Sequence, residues 1–232
     1  MKLKINNYTS SILKDLSLQI DSSKNLIILG SNGVGKTTLA KLLCGLISND
    51  EVSIDDKIFN QLSKENRTKY INYIPAKLEV FDEFLSVKEF LELSCLYAKN
   101  SVQEVLERLE IGHLENQPCQ FLSSGESQLL LLASAVLHNA LFSILDEPTS
   151  NLDPMKVKMV YAILKDEDIF QSKIIITHNL DLAYKLGYDI VFLQEGRVAF
   201  EGSSAEFFAA GNLQNFFANS VKKLEDNIVV DL

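Results

Sequence analysis

Gly30-Ser31-Asn32-Gly33-Val34-Gly35-Lys36-Thr37 decides how the rest of this chain is read. Before it, Asn25–Leu29 is a short apolar run that ends at Gly30. After it, Thr37–Ile47 carries Leu39, Leu42, Leu43 and Leu46 at helical spacing. The pattern predicts a strand, a glycine loop and a helix in that order. Every fixed position of GxxxxGK[ST] is filled, and a chance glycine-rich turn would lack the flanking strand and helix. Glycines at these places let backbone N–H groups turn inward and approach an anion closely. The helix adds the positive end of its dipole. Lys36 is a cation for phosphate oxygens, and the Thr37 hydroxyl is a ligand for Mg²⁺. Gly30, Ser31, Asn32, Gly33, Val34, Gly35, Lys36, Thr37 and Thr38 are therefore the candidate nucleotide-binding residues.

Outward from this loop the pattern is that of an α/β protein. Lys2–Asn6 and Leu13–Asp21 alternate apolar and polar residues, which predicts two half-exposed antiparallel strands. Glu51–Ile54 and Ile71–Ile74 read as further short strands. Between Phe81 and Pro118 the spacing turns helical, with Val87, Phe90, Leu91 and Cys95, then Val105, Leu106 and Leu109. Phe142–Leu145, Ile174–Thr177 and Ile190–Leu193 are apolar runs of parallel-sheet type, separated by helices near Met155–Lys165 and Leu180–Leu186. The expected division is one domain over 1–232. Its core is 1–75 and 138–218, its helical subdomain about 76–137, and its polar tail 219–232, outside the core.

Composition narrows the function. The 232 residues can bury a substantial core. The longest strongly apolar stretch, Leu129–Leu137, is about half the ~20 residues of a membrane span. Met1-Lys2-Leu3-Lys4-Ile5-Asn6-Asn7 lacks the apolar segment of a secretory signal. A cytoplasmic chain that touches a membrane only through a partner is expected. Net charge is −9 with no basic cluster, so nucleic acid is not the expected partner. Cys44, Cys95 and Cys119 are widely spaced with no CxxC, and are expected to be buried reduced thiols.

A phosphate loop alone leaves kinases, GTPases and many ATPases open. Leu122-Ser123-Ser124-Gly125-Glu126 narrows the field, followed by Ser127-Gln128 and a helix through Leu137 with Leu129–Leu132 on its buried face. Next come Phe142-Ser143-Ile144-Leu145-Asp146-Glu147 and Pro148-Thr149-Ser150-Asn151-Leu152-Asp153, then Ile174-Ile175-Ile176-Thr177-His178. Together these resemble the signature, Walker B strand, D-loop and switch histidine of the ABC ATPases, in that family's order. The resemblance implies a P-loop NTPase core with a mainly parallel sheet, an N-terminal antiparallel subdomain and an inserted helical subdomain.

It also implies roles. Asp146 and Thr37 would hold Mg²⁺. Glu147 would be the general base, with His178 and Lys36 beside it in catalysis. Ser123, Ser124, Gly125 and Glu126 would face ATP bound by a second ABC ATPase subunit, with Asp153 in the D-loop. Tyr8 stands where the family often stacks a ring on adenine. His113 and His138 lack such a context and read as structural.

One departure stands out. After Ile71–Ile74 the family usually has Pro-Gln, whereas here the segment is Pro75-Ala76-Lys77. Ser124 also replaces a signature glycine. The nearest pattern is that of ferric-siderophore and vitamin B12 importers. That implies ATP hydrolysis coupled to transport, with integral membrane permease subunits docked beside Pro75–Phe84 and a substrate-binding protein outside. The alternatives are a soluble ABC ATPase of a cytosolic complex, such as iron–sulfur cluster assembly, and a non-hydrolysing module that uses ATP as dimer glue.

Overall fold

The computed structural model describes residues 1–80, 82–218 and 220–230. Phe81, where the helical stretch was expected to begin, and the tail residues Asn219, Asp231 and Leu232 lie outside the described residues. The chain divides into two compact units, Met1–Gln61 with Ile174–Leu232, and Leu62–Lys173.

The first unit opens with β1 (Lys2–Tyr8) and β2 (Leu16–Asp21), then β3 (Leu26–Gly30), helix α1 (Lys36–Leu43), β4 (Val52–Ile54) and β5 (Lys57–Ile58). β1 pairs antiparallel with β2 and β4, and β4 with β5, giving the order β2-β1-β4-β5. Period-two alternation is visible in the result: Leu16, Leu18 and Ile20 are buried while Ser17 and Gln19 face solvent. β3 is buried along its whole length, as a strand covered on both faces requires. Helix α1 is shorter than its leucine spacing suggests. It stops at Leu43, and Leu46 lies beyond it, 67% exposed.

The second unit holds α2 (Lys64–Tyr70), β6 (Ile71–Ile74), α3 (Val87–Ser94), α4 (Val102–Arg108), α5 (Ser124–His138), β7 (Phe142–Asp146) and α6 (Pro154–Lys165). β6 and β7 are parallel, with Ile74 opposite Leu145. The expected single buried face of α5 is corrected. Every residue from Gln128 to Leu137 is buried, so the helix is apolar around its circumference and runs through the interior of its unit. His138, at its end, is half-buried with Nε2 against the Thr68 carbonyl at 2.8 Å, and burial lowers its pKa.

β8 (Lys173–Thr177) leads back to the first unit, which continues through α7 (Leu180–Leu186), β9 (Asp189–Gln194), β10 (Arg197–Gly202), α8 (Ser204–Phe207), α9 (Ala210–Phe217), β11 (Val221–Leu224) and β12 (Asn227–Val230). β3 lies between β8 and β9 and runs parallel to both, while β10 pairs antiparallel with β9. The α/β class with mainly parallel pairing and a separate antiparallel sheet is as the sequence predicts.

The polar tail carries structure of its own: β11 and β12 form a hairpin that turns at Glu225-Asp226, exposed along most of its length with Ile228 only 7% exposed. Charged residues dominate its composition, but Ile228 supplies one apolar anchor on the strand's inner face. The thiols are not uniformly buried. Cys119 is buried, Cys44 is intermediate and Cys95 is exposed.

Candidate functional site

In the first unit the phosphate loop follows β3 directly, because the fully buried strand ends at Gly30. Gly35 precedes α1 with φ 110°, a conformation that penalises side chains. A Cβ there would also sit 2.7 Å from Leu13 Cδ2, so the β1–β2 connection fills the space a side chain would need. Lys36 is 7% exposed, and its Nζ donates to the carbonyls of Gly30 at 2.7 Å and Ser31 at 3.0 Å. The loop thus closes around its own lysine. Thr37 is exposed and Thr38 half-buried.

The capping pattern separates this helix from its neighbours. Helices α2 to α8 each begin with a Ser, Asp or Asn side chain that accepts from the first turn. Helix α1 has no side-chain cap and no acidic residue in its first turn. Helix α9 is uncapped as well, so it is the glycine loop leading into α1, together with the helix N-terminus, that fits phosphate oxygens.

Register brings His178 to the same end of the sheet. Leu29 pairs with Thr177, so Gly30 of the phosphate loop and His178 each follow that pair and leave adjacent parallel strands at the same level. Tyr8 is half-buried at the end of β1, beyond a register irregularity, and starts the connection whose Leu13 abuts Gly35.

In the second unit β7 ends at Asp146, which is 3% exposed. Tyr73 on β6 donates its hydroxyl to Asp146 Oδ2 at 3.0 Å. Sequence reasoning missed Tyr73, because only the β6–β7 register brings the two together. Glu147 follows in the left-handed region at φ 49°, a conformation uncommon for a residue with a long side chain. Such strain clusters at functional positions. The backbone N–H of Ser150 donates to the Glu147 carbonyl at 3.0 Å, and Ser150 Oγ is buried with no partner among the described residues. Asp153 is exposed and caps α6 by accepting from the Lys156 N–H at 3.0 Å.

Ser123 caps α5 in a reciprocal arrangement with Glu126. Ser123 Oγ accepts from the Glu126 N–H at 3.3 Å, and the Ser123 N–H donates to Glu126 Oε2 at 2.8 Å. The Ser123 hydroxyl and amide hold the Glu126 carboxyl below its ordinary pKa. Of the donors expected to seat an anion at this helix end, the Ser123 N–H is engaged by the chain's own Glu126 carboxylate. Gly125 is buried, and a Cβ there would lie 2.9 Å from Lys156 Nζ, so the signature packs tightly on α6. Ser124 is exposed.

Ala76 and Glu147 each lie two residues past the paired Ile74 and Leu145, at the same end of β6 and β7. Ala76 opens into a cavity of about 680 Å³ lined also by Lys77, Glu79, Ser124, Gln128 and Asn151. Gln128, on α5, is 5% exposed and lines the same cavity as Ala76. Among the described residues no group of three or more His, Cys, Asp or Glu is placed to hold a metal. A magnesium ion that shares its ligands with phosphates needs only one or two protein oxygens, a chemistry that a carboxylate or a hydroxyl supplies.

A family model described as "ABC transporter" matches residues 13–150, more than half of the chain. The chain belongs to the ABC transporter family. It carries that family's ATP-binding cassette, and cassettes of the family bind ATP and generally hydrolyse it. Solved structures agree across nearly the whole length. The chain is 26% identical to cbiO1 from Clostridium perfringens, described as part of the ABC transporter complex cbiONQ. That match covers 93% of this chain and 95% of that one, with a TM-score of 0.74. A chain from a putative metal-chelate type ABC transporter, captured inward-facing, matches at 20% identity, with coverage of 99% and 97% and a TM-score of 0.77. The cassette MJ0796, dimeric and bound to ADP and Pi, matches at 23% identity, with coverage of 87% and 98% and a TM-score of 0.72. The last two show likeness of fold. No helix among the described residues of this cassette is long and apolar enough to cross a membrane.

Proposed function

We propose that this cassette is the ATP-hydrolysing motor of an importer and works as a pair of cassettes on the cytoplasmic face of the membrane. The observation that carries the reading is the complete phosphate loop between the buried strand β3 and helix α1, in a chain of this family. ATP phosphates would lie along Gly30–Thr38, with Lys36 Nζ exchanging the Gly30 and Ser31 carbonyls for β- and γ-phosphate oxygens. Tyr8 would stack on the adenine. Mg²⁺ bound through Thr37 and Asp146 would neutralise charge on the phosphates, and Tyr73 would orient the Asp146 carboxylate.

Hydrolysis needs a base and a donor in line. Glu147 accepts a proton from water as the water oxygen bonds to the γ-phosphorus. The bond to the β-phosphate oxygen breaks, leaving ADP and phosphate. His178 holds the γ-phosphate and Glu147 in line. Ser123, Ser124, Gly125 and Glu126 of each copy would meet the nucleotide of the other, beside Asp153. For that, Glu126 must yield the Ser123 donors to phosphate.

The division of labour proposed is a nucleotide-binding core over 1–75 and 138–218, with a helical subdomain over about 76–137 that meets the permease. The likeness to cbiO1, itself part of a transporter complex, supports a permease partner. A substrate-binding protein belongs to the same reading. Copurification tests it: tagged cassette extracted with mild detergent should bring down an integral membrane protein. Recovery only in a soluble complex would favour a cytosolic assembly role. Ala76 favours one second reading, a cassette that closes on ATP and hydrolyses it slowly or not at all, and steady-state phosphate release decides between the two.

A further inference from the structure

The C-terminal hairpin has a place in the fold that the site as described does not use. His178 is the first residue beyond the β3–β8 pairing, since Leu29–Thr177 is the last registered pair. Its backbone therefore belongs to the turn into α7. That helix has only seven residues, too few to hold its own first turn without tertiary support. On one side Leu182, Ala183 and Leu186 are buried in the first unit.

On the other side the hairpin grips the first turn through Asp181, three residues after His178. Asp181 Oδ1 accepts from the Ile228 N–H at 3.0 Å. Lys185 Nζ bridges Asp181 Oδ2 at 2.7 Å and Asn227 Oδ1 at 2.8 Å. Ile228 is 7% exposed, and Lys223 Nζ lies 4.7 Å from the centre of the Tyr184 ring. Asn179 completes the corner: its N–H donates to Thr177 Oγ1 at 3.1 Å and its side chain accepts from the Leu182 N–H at 3.0 Å.

We propose that β11–β12 is a positioning element for His178, acting through Asp181 on the strand-to-helix corner that carries the imidazole. The proposal rests on the catalytic role given to His178 above. A backbone bond at Ile228, the one buried position of β12, fixes the corner more firmly than the half-exposed Lys185 ion pair, which solvent screens. Asp181→Asn keeps an acceptor for the Ile228 N–H, whereas Asp181→Ala removes it. Ile228→Ala loosens the same corner from the hairpin side.

The test measures ATP turnover in the full chain for Asp181→Ala, Ile228→Ala and Asp181→Asn, each alone and with His178→Ala. Backbone amide exchange over residues 178–183 is followed without nucleotide. Asp181→Ala and Ile228→Ala should each lower kcat about fivefold or more with KM for ATP unchanged, because small misplacements of a catalytic group are costly. Exchange at 178–183 should quicken in both. Asp181→Asn should keep most of the rate, and neither Asp181→Ala nor Ile228→Ala should lower kcat further in the His178→Ala background. If Asp181→Ala does not fold, Ile228→Ala carries the same comparison. Unchanged kcat in these variants, while His178→Ala alone is slow, would overturn the positioning role. An equal further loss in the His178→Ala background would overturn it too, by pointing to general destabilisation. Full turnover in His178→Ala itself would remove the role of His178, and this proposal with it.

Discussion

Ala76 is where this cassette should part from its relatives at the scale of single residues. A glutamine amide there could hydrogen-bond the attacking water, whereas a methyl group cannot. One lost polar contact of about 1–1.5 kcal/mol in the transition state corresponds to about tenfold in rate. Ala76→Gln should therefore raise phosphate release several-fold and sharpen its Mg²⁺ dependence. If Lys77 already fills the gap, Lys77→Ala should slow the parent and affect the Ala76→Gln background much less. Lys36→Ala removes a charge-assisted contact to the phosphates and should weaken Mg-ATP binding by about 2 kcal/mol or more, read by calorimetry on folded protein. The candidate residues differ in how legible they were. Lys36 and Asp146 were readable because fixed spacing beside an apolar strand constrains them locally. Tyr73, the burial of Gln128 and the left-handed backbone at Glu147 were not, because strand register, burial and backbone angle arise only when distant segments meet.

Among the elements, four helices begin with the same Ser-x-x-Glu box: Ser86 with Glu89, Ser101 with Glu104, Ser123 with Glu126, and Ser203 with Glu206. In each the serine's hydroxyl and amide lower the glutamate pKa. The sign follows from linkage. Folded values lie below the unfolded value of about 4.3, so the stabilisation is complete above that pH and fades as pH falls through the folded values. Thermal melts should show Tm falling modestly as pH drops below about 4.5, since these carboxylates are largely exposed and solvent screens them. Glu126→Gln should shrink that dependence, and an unchanged acid limb would contradict the assignment. Helix starts were legible because capping is local. The hairpin at 221–230 was not, since its lysines outweigh the one buried isoleucine that docks it. Helix α1 was overextended for a related reason: Leu46 continues the leucine spacing after the helix has ended.

For the molecule as a unit, the proposed cycle needs a second cassette. One chain carries one phosphate loop and one signature, and the signature serine is capped by its own Glu126 until another anion competes for it. Closure of two copies on ATP is therefore the central claim, and the measurement is mass in solution. With Glu147→Gln, which keeps the shape but cannot take the proton, saturating Mg-ATP should convert a single chain of 26.0 kDa into a stable pair by sedimentation equilibrium. ADP should not do so, and adding Lys36→Ala should abolish the effect. A Glu147→Gln chain that binds ATP by calorimetry yet stays single at every protein concentration tested would contradict the claim.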